Sequence, residues 1–429
     1  MQKPQIAAIC LSVSLALSLS LPCAALNRRD GETADGTGVS DHAGHIRALQ
    51  YEALASQDTD ATDLSAAAFS SGISAECAVL TDSCGRVLYA RNAQRQHGIA
   101  STTKIMTAYV VLERLDPDAE VTVSPLAVGI EGSSVYLRAG EVLTVRELLY
   151  AVMLQSANDA AAALAIAACG SVDAFACAMN EKAAALGMRD THFTNPHGLP
   201  SDDHYSTAAD MAILTAHALN FPAFCEIVSM RRASIRRQDS TAMSALVNHN
   251  RLLFSYPGAV GVKTGFTKSS GRCLVSAAER DGVLLVAVTL NAPDDWRDHA
   301  ALLDYGFSVL ECEVFAQEGE VVRTLPVAGG TLSEIHAVCA QRLACVLPRD
   351  HGELRVEYEL RPFYFAPVAC GDKLGRASVY ENDTLIAACD LVAQEAVPLL
   401  QKEKLPFRQR LRRWLFGVES ETDGAFGSA

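Results

Sequence analysis

Positive charge is in deficit in this chain. It carries 36 lysines and arginines against 50 aspartates and glutamates, a net charge of −14 over 429 residues. That balance argues against nucleic acid as a partner, because phosphate binding needs a basic face. Metal signatures are missing too. No Cys-x-x-Cys pair occurs, so a zinc site has no support. His192, His197 and His204 share one segment, but there is no His-Glu-x-x-His pattern and no carboxylate at matching spacing. Neither a metal nor another cofactor is expected. After the first 25 residues no apolar run reaches the roughly 20 residues of a bilayer span. Global disorder is excluded, since 49% of the residues are hydrophobic and can bury a core. The length favours two or three domains.

The first residues read as a secretory signal. Lys3 supplies a positive start, Ile6 to Leu21 an apolar run, and Cys23, Ala24 and Ala25 small residues for cleavage near Ala25. The expected product is a protein outside the cytoplasmic membrane. Of 13 cysteines, eleven remain beyond Cys10 and Cys23, an odd number that leaves at least one thiol unpaired. Cys77, Cys169, Cys177, Cys339, Cys345, Cys370 and Cys389 all adjoin alanine and read as small core fillers.

Residues 26–70 are rich in Asp, Ala, Ser, Gly and Thr and read as a flexible tether. A hairpin is expected next, from Cys77–Leu80 through the turn Asp82–Gly85 to Arg86–Ala90. Helical patterns follow at Thr102–Leu115, Val145–Leu154, Ala160–Ala168, Ala174–Leu186 and Thr207–Leu219. A second hairpin spans Cys273–Ala278 and Val283–Leu290, and a helix about Asp294–Leu310. Strands at both ends and helices between predict an α/β (α+β) domain over 71–312, an antiparallel sheet flanked by helices. Strict alternation at Leu354–Leu360 predicts a small all-β domain over 313–398. In the segment 399–429, Phe407, Leu411, Trp414, Leu415 and Val418 share one helical face, with Arg408, Arg410, Arg412 and Arg413 around it. That pattern fits a helix lying on an anionic membrane surface.

Three short motifs carry chemistry. In Ser101-Thr102-Thr103-Lys104 the serine and lysine stand one helical turn apart and share a face. A serine hydroxyl is a weak nucleophile and needs a base. Burial and a second cation would hold Lys104 uncharged enough to serve. Ser156-Ala157-Asn158 falls between two helical runs. Ser156 could relay a proton, and Asn158 could hold Lys104. In Lys263-Thr264-Gly265 the lysine offers a fixed positive charge to a carboxylate, Thr264 a hydroxyl, and Gly265 a close backbone approach at a sheet edge. Ideal alternation sends Lys263 and Thr264 to opposite faces, so both serve one site only if the strand twists or ends there.

Each motif alone is common. Their order, each on the element it needs, resembles the set found in penicillin-binding proteins and class A β-lactamases. The segments Ile99-Ala-Ser-Thr-Thr-Lys-Ile-Met-Thr107, Gln155-Ser-Ala-Asn-Asp-Ala160, Asn195-Pro-His-Gly-Leu199 and Gly261-Val-Lys-Thr-Gly-Phe-Thr267 look like those of the low-molecular-weight D-alanyl-D-alanine carboxypeptidases. The resemblance implies a serine β-lactamase/transpeptidase-like domain acting on peptidoglycan stem peptides that end in D-Ala-D-Ala. It implies that Ser101 is acylated, Lys104 is general base, and Ser156 and Asn158 assist. Lys263 and Thr264 would grip the terminal carboxylate. The N–H groups of Ser101 and Phe266 would form the oxyanion hole, and β-lactams would trap Ser101. His197 would be a loop residue that positions backbone near the site. Two rivals share the chemistry. A class A β-lactamase needs a Glu-x-x-Leu-Asn pattern, which is missing here, and Glu181 falls in a helical run instead. Endopeptidase action on cross-bridges would use the same site.

Overall fold

The structure is a computed structural model that describes residues 72–237 and 243–401. The expected export signal, the tether and the basic helical face from Phe407 to Val418 lie outside the described residues. No single helix among the described residues is long and apolar enough to cross a bilayer.

The chain enters through two antiparallel strands, β1 (Cys77–Asp82) and β2 (Val87–Arg91). A one-turn 3-10 helix, Ala100–Thr103, runs directly into α1 (Lys104–Arg114). The short pair β3 (Glu120–Thr122) and β4 (Val142–Thr144) brackets a loop that returns to the site. Helices α2 (Val145–Leu154), α3 (Asn158–Cys169), α4 (Val172–Ala185), α5 (Ala208–Ala218) and α6 (Pro222–Ser229) follow. Each of the first four ends or starts for a local reason. Thr144 and Glu147 form a reciprocal capping box at α2. Gly170, at φ 82°, stops α3, and Ser171 and Thr207 cap α4 and α5. The alanines of α3 leave it thin enough to be buried from Asn158 to Ala165. It packs there against α1, α2 and α4.

A hairpin, β5 (Arg232–Arg236) with β6 (Met243–Val247), and the one-turn α7 (Leu252–Ser255) lead to three long strands. These are β7 (Ala259–Thr267), β8 (Gly271–Arg280) and β9 (Val283–Leu290). Asp281 and Gly282, both at positive φ, make the tight β8–β9 turn. The central sheet has the order β2-β1-β9-β8-β7 and is antiparallel throughout, so β7 is an edge. Strand alternation divides two cores. Cys77, Val79, Val275, Val286 and Val288 face the helical side with α1 and α3. Ala78, Leu80, Leu274, Leu285 and Ala287 face α8 (Asp295–Val309).

Beyond α8 the described residues form strands only: β10 (Leu310–Ala316), β11 (Val321–Ala328), β12 (Glu334–Cys339), β13 (Leu343–Pro348), β14 (Leu354–Leu360), β15 (Tyr364–Phe365), β16 (Lys373–Glu381) and β17 (Thr384–Ala393). Six of them form one sheet of order β14-β16-β17-β12-β11-β15, and β10 pairs with β13. The fold is therefore a sheet flanked by helices followed by an all-β region, as the sequence pattern predicts. None of the eleven described cysteines forms a disulfide. Cys77, Cys339 and Cys389 are buried as expected of core fillers, but Cys177 and Cys370 are exposed, so adjacency to alanine overstated their burial.

Candidate active site

The Ser101–Lys104 motif begins one element earlier than its pattern predicts. Ser101 stands in the 3-10 turn, and the α-helix starts at Lys104. Ala100 takes a positive φ of 47° to enter the turn. Thr102 Oγ1 donates to Ile99 O at 2.6 Å and Thr103 Oγ1 to Ala100 O at 2.8 Å, which closes it. The spacing still brings serine and lysine together. Lys104 Nζ lies 3.0 Å from Ser101 Oγ, 2.7 Å from Asn158 Oδ1 and 2.6 Å from His197 O. Lys104 is fully buried. Its pKa is held well below the ordinary lysine range, first by burial and then by the charge of Lys263, while Asp159 opposes the shift.

This arrangement decides what the amine can do. Two of its three neighbours, Asn158 Oδ1 and His197 O, are acceptors only. An uncharged amine gives its two hydrogens to them, and its lone pair is left for the Ser101 hydroxyl. Asn158 is itself fixed, with Nδ2 donating to Glu131 O at 2.5 Å and its backbone N–H to Ser133 O at 2.7 Å. The next residue, Asp159, accepts from Ser134 Oγ at 2.7 Å and from Leu137 N at 2.9 Å, which binds the 131–137 loop to the start of α3.

The carbonyl of His197 is presented by a second loop, and this residue positions backbone as the motif reading expects. Asn195 Oδ1 accepts from the N–H groups of His197 at 3.2 Å and Gly198 at 2.7 Å. Gly198 has φ +85°, and a Cβ there would run into the Ala100 carbonyl, so the loop and the Ser101 turn touch through glycine. Thr107 Oγ1 donates to Pro196 O at 2.6 Å. His204 completes the seam. Its Nδ1 accepts from Thr194 N at 3.1 Å, so the ring proton is on Nε2 and points at Thr103 Oγ1, 2.8 Å away. Burial lowers His204 to about 4 and His197 to about 3, so both rings are neutral at pH 7. His192 Nδ1 bonds the Asp203 carbonyl at 2.6 Å.

Ser156 sits between α2 and α3 at φ 60° and is buried. It is not hydrogen-bonded to Lys104, whose three neighbours are those named above. On β7, Lys263 pairs across from Val275 and Gly265 from Cys273, so both point to the helical side. Thr264 pairs with Leu274, which belongs to the opposite core. Normal alternation therefore holds at this pair. Gly265 presses on the Ser101 turn, for a Cβ there would lie 3.1 Å from Ser101 N and from Ile99 O. Lys263 is buried, and its Nζ donates to Thr264 O at 2.8 Å. Burial lowers its pKa to about 7, so its charge is not fixed as the sequence reading has it. A bound carboxylate raises the pKa again by favouring the charged form. Phe266 is 65% exposed on the same edge strand. Glu181 is exposed on α4.

Sequence reasoning missed Asp159, the Glu131 and Ser133 carbonyls and the Thr103–His204 bond. Asp159 adjoins Asn158 and was within reach of the motif. Backbone carbonyls carry no residue signature at all.

Residues 63–294 match the family described as D-alanyl-D-alanine carboxypeptidase, and 313–399 match the C-terminal domain of penicillin-binding protein 5. The chain is 31% identical to D-alanyl-D-alanine carboxypeptidase DacF of Bacillus subtilis over 332 residues, which cover 75% of this chain and 85% of that one. It is 32% identical to DacC of Escherichia coli, covering 73% and 81%. The crystal structure of penicillin-binding protein 5 from Haemophilus influenzae superposes with a TM-score of 0.56 at 28% identity, over 76% of this chain and 98% of that one. The chain belongs to the D-alanyl-D-alanine carboxypeptidase family and is a hydrolase of that class, carrying a penicillin-binding-protein C-terminal domain.

Proposed function

We propose that the protein removes the terminal D-alanine from peptidoglycan stem peptides through an acyl-enzyme on Ser101. Ser101 Oγ attacks the carbonyl carbon of the penultimate D-alanine while its proton passes to Lys104 Nζ. The negative charge on the carbonyl oxygen falls between the N–H groups of Ser101 and Phe266. The first N–H groups of a helical turn have no partner within the helix, which suits Ser101 to that role. The C–N bond then breaks, and the leaving amine takes the proton from Lys104 by way of the Ser156 hydroxyl. Water hydrolyses the ester with Lys104 again as base. Asn158 keeps the amine aligned. Lys263 holds the terminal carboxylate, Thr264 alternates to the opposite face and leaves that role to Lys263, and Gly265 lets the peptide lie against β7, an open sheet edge. β-Lactams imitate the same peptide and acylate the same hydroxyl.

The observation that carries the reading is the buried Lys104 amine, with two acceptors on its hydrogens and Ser101 Oγ at 3.0 Å. The same reading assigns residues 1–25 to export, 26–70 to a tether, 71–312 to catalysis and 313–398 to the β domain. Residues 399–429 then hold the enzyme on the outer face of the membrane. The deciding test is intact mass after penicillin exposure, alongside D-alanine release from a pentapeptide ending in D-Ala-D-Ala. Wild type should gain one penicilloyl group and release D-alanine, and Ser101→Ala should do neither. A folded wild type with no adduct sinks the proposal.

A further inference from the structure

Beside the nucleophile turn, away from Lys104, the surface opens into a cavity of about 470 Å³. Three segments line it: Gln96–Ala100 ahead of Ser101, residues of the 198–205 loop that include Asp202 but neither Leu199 nor Asp203, and Ser269 with Ser270 at the β7–β8 turn. Gly98 and Ser270 meet here, since a Cβ at Gly98 would be crowded by Ser270 Oγ. Among the described lining residues Asp202 is the one carboxylate, and no lysine or arginine is present. Asp202 is exposed. The two lining histidines face elsewhere. His97 lies with Nδ1 2.8 Å from Gly98 O and Nε2 3.9 Å from Glu76, and His204 is held by Thr103 and Thr194. Lys268 is exposed on the same turn but does not line the cavity.

The direction of the substrate follows from the ends that are fixed. This step rests on the acyl-enzyme reading above. The terminal carboxylate sits at Lys263 and the reacting carbonyl at Ser101 and Phe266. The acyl half of the peptide must leave on the side away from Lys263. Along β7 that direction runs through Thr267 to Ser269 and Ser270, which border the cavity. A strand advances about 3.3 Å per residue. The residue before the penultimate D-alanine therefore arrives about one step beyond the oxyanion site, beside the opening.

We infer that this cavity receives the side chain of the residue preceding the penultimate D-alanine, and that Asp202 favours a side chain ending in a free amine. A diamino acid offers such an amine in an uncross-linked stem and an amide in a cross-linked one. The subsite thus biases the enzyme towards stems whose amine is free. Because Asp202 is exposed, the bias is modest and weakens with salt.

The test uses the full chain and two synthetic pentapeptides ending in Lys-D-Ala-D-Ala, one with a free ε-amine and one ε-N-acetylated. For wild type, kcat/KM should favour the free amine about threefold at low salt. Asp202→Asn should bring the ratio close to one, and Asp202→Lys should invert it. Asp203→Asn, whose side chain does not line the cavity, should keep the wild-type ratio. Equal wild-type rates overturn the inference, and so does an Asp203→Asn variant that flattens the ratio as fully as Asp202→Asn. Release of D-alanine from neither peptide by wild type overturns the carboxypeptidase reading itself, and this inference with it.

Discussion

The helical region and the C-terminal strand region handle polar groups in opposite ways. From Thr81 to His299 the chain buries threonines, serines, asparagines, aspartates, histidines and two lysines. Among the described residues beyond α8 the only buried polar side chain is Ser378. The strand region instead closes over two compact apolar clusters, one around Ile335, Ala337 and Val397 and another around Val379, Cys389 and Leu391. A buried charge costs several kcal/mol unless it is compensated. Such groups persist where chemistry needs them. The comparison locates reactivity in one region and leaves the other a packing problem.

Removing the buried base should have the largest effect. Lys104→Met fills nearly the same volume but offers no lone pair of comparable basicity and no donor for Asn158 Oδ1 or His197 O. General base catalysis is worth about 10²- to 10⁴-fold. The rate of penicillin acylation, followed by intact mass, should fall about 10³-fold. A rate within tenfold of wild type would mean that the helical region buries this amine for structure, and the contrast between the regions would lose its meaning. Gly198→Ala ranks next. It forces a side chain into the positive-φ seam against Ala100. The strain is of the order of 1–3 kcal/mol, and misplacement of the His197 carbonyl should slow acylation about 10²-fold. A crystal structure of the variant with the seam unchanged and full acylation would refute this.

Much of this division was legible in the sequence. The 2.0- and 3.6-residue periods gave both hairpins of the central sheet and six of the helices to within a few residues, because each has one or more faces in a large core. The pair β5–β6 and helix α6 were missed, being short and lacking a strong period. At the site, the Ser101–Lys104 contact follows from helical spacing and survives the change to a 3-10 turn. The parity of Lys263 and Gly265 on β7 follows from strand alternation. The titration of Lys263 was not legible, since it depends on how completely tertiary packing removes water from one amine. Nor was the role of loop 131–137, which acts through carbonyls of Glu131 and Ser133 that any residue type could supply.

The two buried lysines sharpen the comparison through pH. The proposed mechanism needs Lys104 without its proton and Lys263 with one. Lys104 is pulled far down by burial and by Lys263, so activity should rise as pH climbs through its lowered pKa. Lys263 titrates near 7 in the free enzyme, so kcat/KM should fall about tenfold per pH unit above that value. A substrate carboxylate stabilises its charged form, so the alkaline limb of kcat should lie higher than that of kcat/KM. Lys263→Arg, which keeps its proton throughout, should remove the alkaline limb. A limb near 7 that survives this change belongs to another group.

The smallest effect on chemistry should come from the strand region, although the effect on stability there is large. Leu391 is fully buried on β17 beside Val379 and Cys389. Leu391→Ala removes a core side chain and leaves a cavity, at a cost of about 2–5 kcal/mol. If the two regions are energetically separate, differential scanning calorimetry should show a transition that moves down while a second stays in place. Penicillin acylation below that transition should match wild type. The physical link that could defeat this is visible: Arg86, next to β1, donates to the Val346 carbonyl on β13 at 3.3 Å, and β10 continues directly from α8. That bond is worth about 1 kcal/mol, and Val346 and Cys312 add partly buried packing against the core beneath α8. A single merged transition, or acylation that declines with the loss of Leu391, would show that the strand region supports the reactive serine through the sheet and is more than packing.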